Sequence, residues 1–172
     1  MIFFFFTYGR FFPGPKGLGH DYAFFLPDLL SNFYWAKVNG PWFAPWFTPA
    51  FCGGQPAFAD PQSLYYSLPQ LLTAFMDPVA SIFWTFLTFG ALGFLGMYLL
   101  LQDSVNASRS AAIVGGALFA MNGFFIHRML IGHLAFHGFM LVPLLAWTAT
   151  STMARADLRL PASWGGVVFG SL

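Results

Sequence analysis

Apolar residues form three long stretches in the second half of the chain, and polar residues gather at the edges of these stretches. The stretches cover about residues 79–101, 111–127 and 129–153, and a fourth begins at 161. A membrane core about 30 Å thick is crossed by roughly 20 apolar helical residues. This pattern predicts an all-α fold, a polytopic bundle of transmembrane helices.

The edges of these spans carry helix signals. Asp77 can cap the free N–H groups of a first turn, and Pro78 suits the first helical position. We expect His127 and Arg128 to close the second span. Pro143 lies within the third, where a membrane helix tolerates it with a kink.

The beginning of the chain is apolar, but Arg10 follows before half a membrane has been crossed. A signal peptide would show a basic start and a small-residue cleavage site, and neither is present. We interpret residues 1–12 as the end of a truncated first transmembrane helix. The chain is therefore expected to be a fragment of a longer membrane protein.

Residues 13–78 differ in composition from the spans. They hold ten of the twelve prolines, which leave no room for an uninterrupted helix of spanning length. They are also rich in aromatic residues, and Trp and Tyr favour the headgroup depth of a membrane. The segment is therefore predicted to be a structured loop that lies on the membrane.

Two interfacial helices are predicted within this loop, at residues 28–38 and 61–72. In the first helix, Leu29, Phe33 and Tyr34 are expected to face lipid. Asp28 and Lys37 are expected to face water. The second helix is expected to start at Asp60.

Composition narrows the class of protein. Only 8% of the 172 residues are charged, whereas a soluble domain carries about 25%. A net charge of +1 excludes a strongly basic nucleic-acid binder, so no nucleic acid is expected among its partners. The single cysteine, Cys52, excludes an internal disulfide and a cysteine-based zinc site. An integral membrane protein remains.

The basic residues of the short loops predict an orientation. Arg109, Arg155 and Arg159 lie in the two loops that would share one side, and Arg128 lies on the other. Cytoplasmic loops are richer in Lys and Arg. The loop at 13–78 is therefore expected to be external.

The first candidate for chemistry is Asp21, which lies at the start of the external segment. A carboxylate near the membrane surface can act as a general base on a hydroxyl while a phosphate-linked group leaves. The alternative is a loop aspartate that caps the following turn or faces water.

The second candidate is the aromatic stretch around the pair Gly53–Gly54, which predicts a tight turn. Aromatic rings beside amide side chains suit a sugar, which stacks its C–H face and donates hydroxyls. The residues of this type are Trp42, Trp46, Gln55, Gln62 and Tyr65. The alternative is a loop whose rings only anchor it at the interface.

The third candidate is the pair His133 and His137, which lie four residues apart on one predicted helix face. Such histidines can relay protons, bind a metal or bind a phosphate when protonated. Arg128 can pair with a phosphate by a bidentate contact. Alternatively, the histidines are hydrogen-bonded within the bundle, and Arg128 reaches lipid headgroups.

The order of these motifs resembles a known family. An Asp follows a helix end, then come W-x-x-P at Trp42, the Gly53–Gly54 turn with Pro56, and A-D-P-Q leading to Tyr65–Tyr66. Gly132-His133-Leu134 and Val142-Pro143-Leu144 follow. This order resembles the GT-C superfamily of polytopic glycosyltransferases, particularly the bacterial YfhO-like branch, over most of residues 19–150.

The resemblance implies transfer of a sugar from a polyprenyl-phosphate carrier to an acceptor on the external face of a bacterial inner membrane. It implies Asp21 as the catalytic base, with Asp60 as a weaker second match. Arg128, helped by His20 or His133, would bind the phosphate. No metal ligand is assigned, although some members of the superfamily use a divalent metal.

Two other functions compete with this hypothesis. A transporter or channel would use His133 and His137 as a polar relay and would carry polar residues along several spans. A non-catalytic membrane scaffold would tolerate the replacement of Asp21.

Overall fold

The computed structural model describes residues 6, 9–14, 17–49, 53–57, 59, 60 and 62–155. Several sequence predictions fall outside this part of the chain. They are most of the helix end at 1–12, Cys52, Pro61, Arg159 and the span predicted from 161.

The segment before the long apolar helices is compactly folded and has its own secondary structure. Helix α1 covers Tyr22–Asn39 and helix α2 covers Leu68–Thr73. Between them, strands β1 (Phe47–Thr48) and β2 (Gln55–Pro56) pair antiparallel, with Phe47 opposite Pro56 and Thr48 opposite Gln55. The all-α prediction did not include this small hairpin.

The predicted Gly-Gly turn lies within the hairpin. Gly53 and Gly54 have φ angles of +109° and +106°, which only glycine adopts readily. A Cβ atom at Gly54 would overlap the ring of Phe47. This position therefore needs glycine both for its backbone conformation and for the space that the ring takes.

The rest of the described chain is mostly helical. Helix α3 (Pro78–Leu99) continues as a π-helical turn, Leu100–Ser104. Helices α4 (Arg109–Ala120) and α5 (Gly123–Ile131) follow, and then a 3₁₀ segment (Leu134–Leu141) leads into α6 (Val142–Arg155).

Three stretches of this part are long and apolar enough to cross a membrane. They are Pro78–Ser104 with 27 residues, Arg109–Ile131 with 23 and Leu134–Met153 with 20. They correspond to the three spans predicted from the apolar pattern, and their length and composition are compatible with an integral membrane protein.

Side-chain caps determine where the helices begin. The Asp77 carboxylate accepts a hydrogen bond from the backbone N–H of Ala80 at 3.0 Å, and Pro78 occupies the first helical position, which confirms the predicted start of α3. Ser108 caps α4 and Asn122 caps α5 in the same way. Each cap satisfies an N–H group that has no partner within its helix.

The boundary between the second and third spans lies later than predicted. His127 and Arg128 do not end the helix, because α5 continues to Ile131 and stops at Gly132, whose φ is +85°. The second span is instead interrupted within its length, because α4 ends at Ala120 and Asn122 caps the start of α5. A basic residue in the last turn is favoured by the helix dipole, so Arg128 stabilises this helix end without terminating it.

Helix α3 lies at the centre of the packing, against α2, α4, α6 and the 3₁₀ segment. Glycines let the backbones approach closely. A Cβ at Gly96 would lie 2.5 Å from the backbone nitrogen of Leu144, and one at Gly93 would lie 3.0 Å from the carbonyl oxygen of Met140. The core around these contacts includes Tyr22, Leu29, Ile82, Phe86, Met129 and Met140.

The interfacial helices differ from their prediction in extent and orientation. Helix α1 buries both Asp28 and Leu29, whereas Tyr34 is exposed. The expectation that Asp28 faces water and Leu29 faces lipid is therefore wrong. Helix α2 starts at Leu68, where the Ser67 hydroxyl caps it, and not at Asp60.

Candidate functional site

Three polar side chains from two distant parts of the sequence meet where α1 begins and α5 ends. Nε2 of His133 lies 2.6 Å from Oδ2 of Asp21. Nδ1 of the same imidazole contacts Nη1 of Arg128. The resulting chain of contacts, Arg128–His133–Asp21, is called the polar triad below.

The chemistry of the three groups assigns the protons. A guanidinium only donates hydrogen bonds, so Nδ1 of His133 accepts from Arg128. The imidazole therefore carries its proton on Nε2 and donates it to Asp21. This leaves Oδ1 of Asp21 free of the His133 contact, on a side chain that is 46% exposed. The triad thus presents an oriented carboxylate to the surroundings.

The backbone at the end of α5 holds the triad together. The N–H groups of Gly132 and His133 both donate to the carbonyl of Arg128, at 3.0 and 2.9 Å. The N–H of Asp21 donates to the carbonyl of Ile131 at 3.1 Å. These bonds satisfy carbonyl groups that have no partner within the helix, and they fix Asp21 to the turn that carries His133.

Tyr22 adds a second clamp to the same helix end. Its ring is fully buried, and its hydroxyl donates to the carbonyl of Met129 at 2.5 Å. A Cβ at Gly132 would lie 2.7 Å from the backbone nitrogen of Tyr22. The start of α1 therefore sits directly on Gly132, with no space for a larger residue.

The Arg128 guanidinium lies between two aromatic rings. Its central carbon is 5.1 Å from the ring centre of Phe124 and 4.4 Å from that of Phe136. Such contacts attract a cation to the ring face. Nε of Arg128 is buried and has no hydrogen-bond partner among the described residues. The guanidinium thus keeps donor capacity beyond its contact with His133.

The other two histidines of the predicted site take different positions. His137 is fully buried, and its Nδ1 donates to the carbonyl of His133 at 3.2 Å. It braces the turn behind the triad and is closed to a ligand. His20 is exposed, with a φ of +51°, and it precedes Asp21 directly.

A second group of predicted residues lines a groove of about 450 Å³ between α1, α2 and the loop after α1. We call it the aromatic groove. Trp42 and Tyr65 belong to it. Its other lining residues are Phe33, Ala36, Pro41, Tyr66, Ser67, Leu68, Gln70, Leu71 and Ala74.

The remaining predicted sugar-binding residues are not among those that line the groove. Trp46 is 77% exposed. Gln55 lies in β2, opposite Thr48, and Gln62 is exposed in a turn. The sequence predicts one cleft for all of these amide and aromatic side chains, but of the five only Trp42 and Tyr65 are among the groove's described lining residues.

The triad and the aromatic groove lie at different places along α1. Asp21 precedes the first residue of the helix, whereas Phe33 and Ala36 line the groove. With a rise of 1.5 Å per residue, about 20 Å of helix separates them. The groove is therefore not the immediate surroundings of Asp21.

Asp60 lies in a turn, where Oδ1 of its carboxylate accepts from the backbone N–H of Gln62 at 2.8 Å. Its negative charge also influences the carboxylate of Asp28. Asp28 is buried, and its Oδ2 accepts a hydrogen bond from Nδ2 of Asn32 at 3.1 Å. Burial, and secondarily the negative charge of Asp60, raises the pKa of Asp28 from 3.8 to about 6, although the Asn32 hydrogen bond opposes this.

The raised pKa makes the stability of the fold depend on pH. Folded protein binds the Asp28 proton more tightly than unfolded protein does, so the stabilising contribution is complete below pH 3.8 and is lost as the pH rises through about 6. The loss amounts to about 3 kcal/mol at most. We expect Asp28→Asn to raise the free energy of unfolding above pH 7 and to flatten its slope between about pH 4 and 6.

Chemical denaturation of the purified protein at several pH values measures this effect. Asp77→Asn is the matched control, because asparagine caps a helix as well as aspartate does, and it should leave the slope unchanged. An Asp28→Asn protein with the wild-type slope would contradict the prediction.

Sequence reasoning assigned no role to Tyr22 or Gln70, and it expected the buried Asp28 to face water. The spacing of Asp28 and Asn32, four residues apart, was a usable signal of a polar pair on one helix face. Tyr22 and Gln70 act across long separations, to Met129 and to Leu29 respectively, so the local sequence held no signal for them.

Within the described residues, no group of three or more His, Cys, Asp or Glu side chains is placed to hold a metal ion. No protein-family model, curated protein or solved structure matches the chain.

Proposed function

We propose that this protein is a membrane glycosyltransferase of GT-C type, which moves a sugar from a polyprenyl-phosphate donor to an acceptor at the external membrane surface. In this proposal the three apolar stretches cross a bacterial inner membrane as a polytopic bundle. Residues 13–78 lie outside and rest on it.

The observation that carries the proposal is the meeting of Asp21, His133 and Arg128. A base and a phosphate-binding cation are the two groups that displacement of a phosphate-linked sugar requires. Here they are joined through one imidazole, although more than 100 residues separate Asp21 from Arg128 in the sequence.

Each member of the triad then has a role. Oδ1 of Asp21 removes the proton from the acceptor hydroxyl, and the acceptor oxygen forms a bond to the anomeric carbon. The bond from that carbon to the phosphate oxygen breaks, and the phosphate leaves with the electron pair, so the configuration inverts. Arg128 stabilises the charge that develops on the phosphate, and His133 orients Asp21.

The surface of the external segment supports its place at the membrane. Trp42, Phe43 and Trp46 are 84%, 68% and 77% exposed, which is costly in water but typical of a segment at the headgroup level. Membrane lipid is accordingly a partner in this proposal, beside the lipid-linked sugar.

A transporter with a polar relay is less well supported. The buried hydroxyls of Ser81 and Thr85 in α3 donate to the backbone carbonyls of Pro78 and Ser81, at 2.8 and 2.7 Å. Hydroxyls bound in this way are occupied by their own helix, and the Ser81 hydroxyl also contacts that of Thr73 in α2 at 3.1 Å.

The test uses the protein reconstituted in proteoliposomes, with a panel of polyprenyl-phosphate sugars and labelled acceptors. Release of polyprenyl phosphate that matches label transfer, for at least one donor, is the expected result. Absence of turnover with every donor, from protein that is folded and inserted, would contradict the proposal. Parallel reactions without acceptor distinguish sugar transfer from hydrolysis of the donor.

A further inference from the structure

We infer that the aromatic groove is a saccharide-binding subsite, separate from the triad, and that Gln70 supplies the hydrogen-bond acceptor that selects its ligand. The inference rests on the proposed function, because a remote saccharide ring belongs to the acceptor of such a transfer. The observation behind it, an unpaired oxygen of Gln70 in an aromatic groove, is independent of the triad.

The walls of the groove are rings whose positions are fixed from behind. The Tyr65 hydroxyl donates to the carbonyl of Phe43 at 3.3 Å, and the Tyr66 hydroxyl donates to the carbonyl of Trp42 at 3.2 Å. The two rings pack edge to face, with centres 5.0 Å apart. Both hydroxyls thus anchor the loop that carries Trp42, and a ligand meets preformed aromatic surfaces.

Gln70 brings an unpaired acceptor to this apolar groove. Its Nε2 donates to the carbonyl of Leu29 at 3.3 Å, which fixes the assignment of the amide. Its Oε1 is buried without a hydrogen-bond partner among the described residues. A buried acceptor without a partner is costly. The terminal torsion of glutamine is soft, and in the proposed subsite it rotates so that this oxygen accepts a hydroxyl of the ligand.

These features together select the ligand. A hydrocarbon chain would fit the walls but would leave Oε1 of Gln70 unpaired. A saccharide ring places its C–H face on the Trp42 ring and donates a hydroxyl to Gln70. The volume of about 450 Å³ lies in the range of small-molecule sites, about 300–1,000 Å³.

The distance from Asp21 gives the subsite its role. A ring bound about 20 Å along α1 from Asp21 is not the sugar being transferred. It is a ring of an extended acceptor, whose binding there helps to hold the reacting hydroxyl at the triad. Binding energy from a remote part of a substrate can be used in this way.

The test measures the binding of methyl glycosides of glucose, galactose, mannose and N-acetylglucosamine to the protein in nanodiscs, by saturation-transfer NMR and titration. We expect at least one glycoside to bind. Gln70→Leu should weaken that binding about 10-fold, the factor that corresponds to about 1.4 kcal/mol. Gln70→Glu, which keeps an acceptor, should retain more of it.

Matched variants make the result specific. Trp42→Leu should weaken binding, whereas Trp46→Leu changes the same residue type four positions away, outside the groove lining. Gln102→Leu makes the same amide change near the far end of α3. Neither control should alter the dissociation constant, and circular dichroism checks that every variant is folded.

Three outcomes would overturn the inference. They are the absence of glycoside binding, binding that is unchanged by Gln70→Leu and Trp42→Leu, and binding of a spin-labelled fatty acid that Gln70→Leu strengthens. Turnover without glycoside binding would contradict the subsite and leave the proposed function standing. Glycoside binding in a protein without turnover, with the same affinity in Asp21→Asn, would contradict the proposed function and leave the subsite standing.

Discussion

Asp21→Asn is expected to lower the rate of sugar transfer by about 10²–10⁴-fold, the contribution typical of a positioned general base. Asparagine has the shape of aspartate, and its amide oxygen can still accept the hydrogen bond from His133. It cannot take a proton from the acceptor. Because Arg128 is unchanged, the donor should still bind.

Release of polyprenyl phosphate measures the rate, and equilibrium binding of the lipid-linked sugar measures donor affinity. The matched control is Asp77→Asn, which changes a carboxylate at the start of α3 that only caps the helix. A wild-type rate in Asp21→Asn would contradict the assignment of the base. A large loss in Asp60→Asn would then move that role to the second carboxylate.

Gly132→Ala is expected to reduce both transfer and stability. Alanine at a φ of +85° costs roughly 1–2 kcal/mol, and its Cβ would lie 2.7 Å from the backbone nitrogen of Tyr22. The start of α1 must move away, and Asp21 moves with it. A displacement of about 1 Å at a reacting group can lower a rate about 10²-fold.

The measurement combines transfer rates with thermal unfolding of the same samples. Gly123→Ala is the control, since a Cβ there meets nothing within 4 Å. If Gly132→Ala acts by displacing the base, it should cause little further loss of rate in the Asp21→Asn background. Equal losses in both backgrounds would show that it acts elsewhere.

The spans were predictable because their physics is local. A helix in the membrane needs about 20 apolar residues in succession, and such stretches are visible in the sequence from the start of α3 onward. The capping of α3 by Asp77 was equally local, since cap and first turn lie within three residues. The end of α5 lies beyond the predicted boundary at His127–Arg128, because Gly132 supplies the left-handed residue that ends the helix.

The site was predictable only in part. The chemistry of Asp21, Arg128 and His133 indicates each of them as a candidate, but no pattern in the sequence joins Asp21 to His133. Of the five residues expected in one sugar cleft, Trp46, Gln55 and Gln62 are not among the groove's described lining residues. Spacing along a loop does not reveal how that loop folds. Trp42 and Tyr65 lie in one groove, and the amide side chain that lines it is that of Gln70 and not those of Gln55 and Gln62.

The sequence by itself determined that the chain is mostly helical, that three stretches can cross a membrane and where α3 begins. These properties follow from hydrophobicity and from contacts within one turn of helix. Only the tertiary structure decided that Asp21 touches His133, that Asp28 is buried and that His137 is closed to ligands. Each of these depends on contacts between segments far apart in the chain, whose free energy is set by packing and by the satisfaction of buried polar groups.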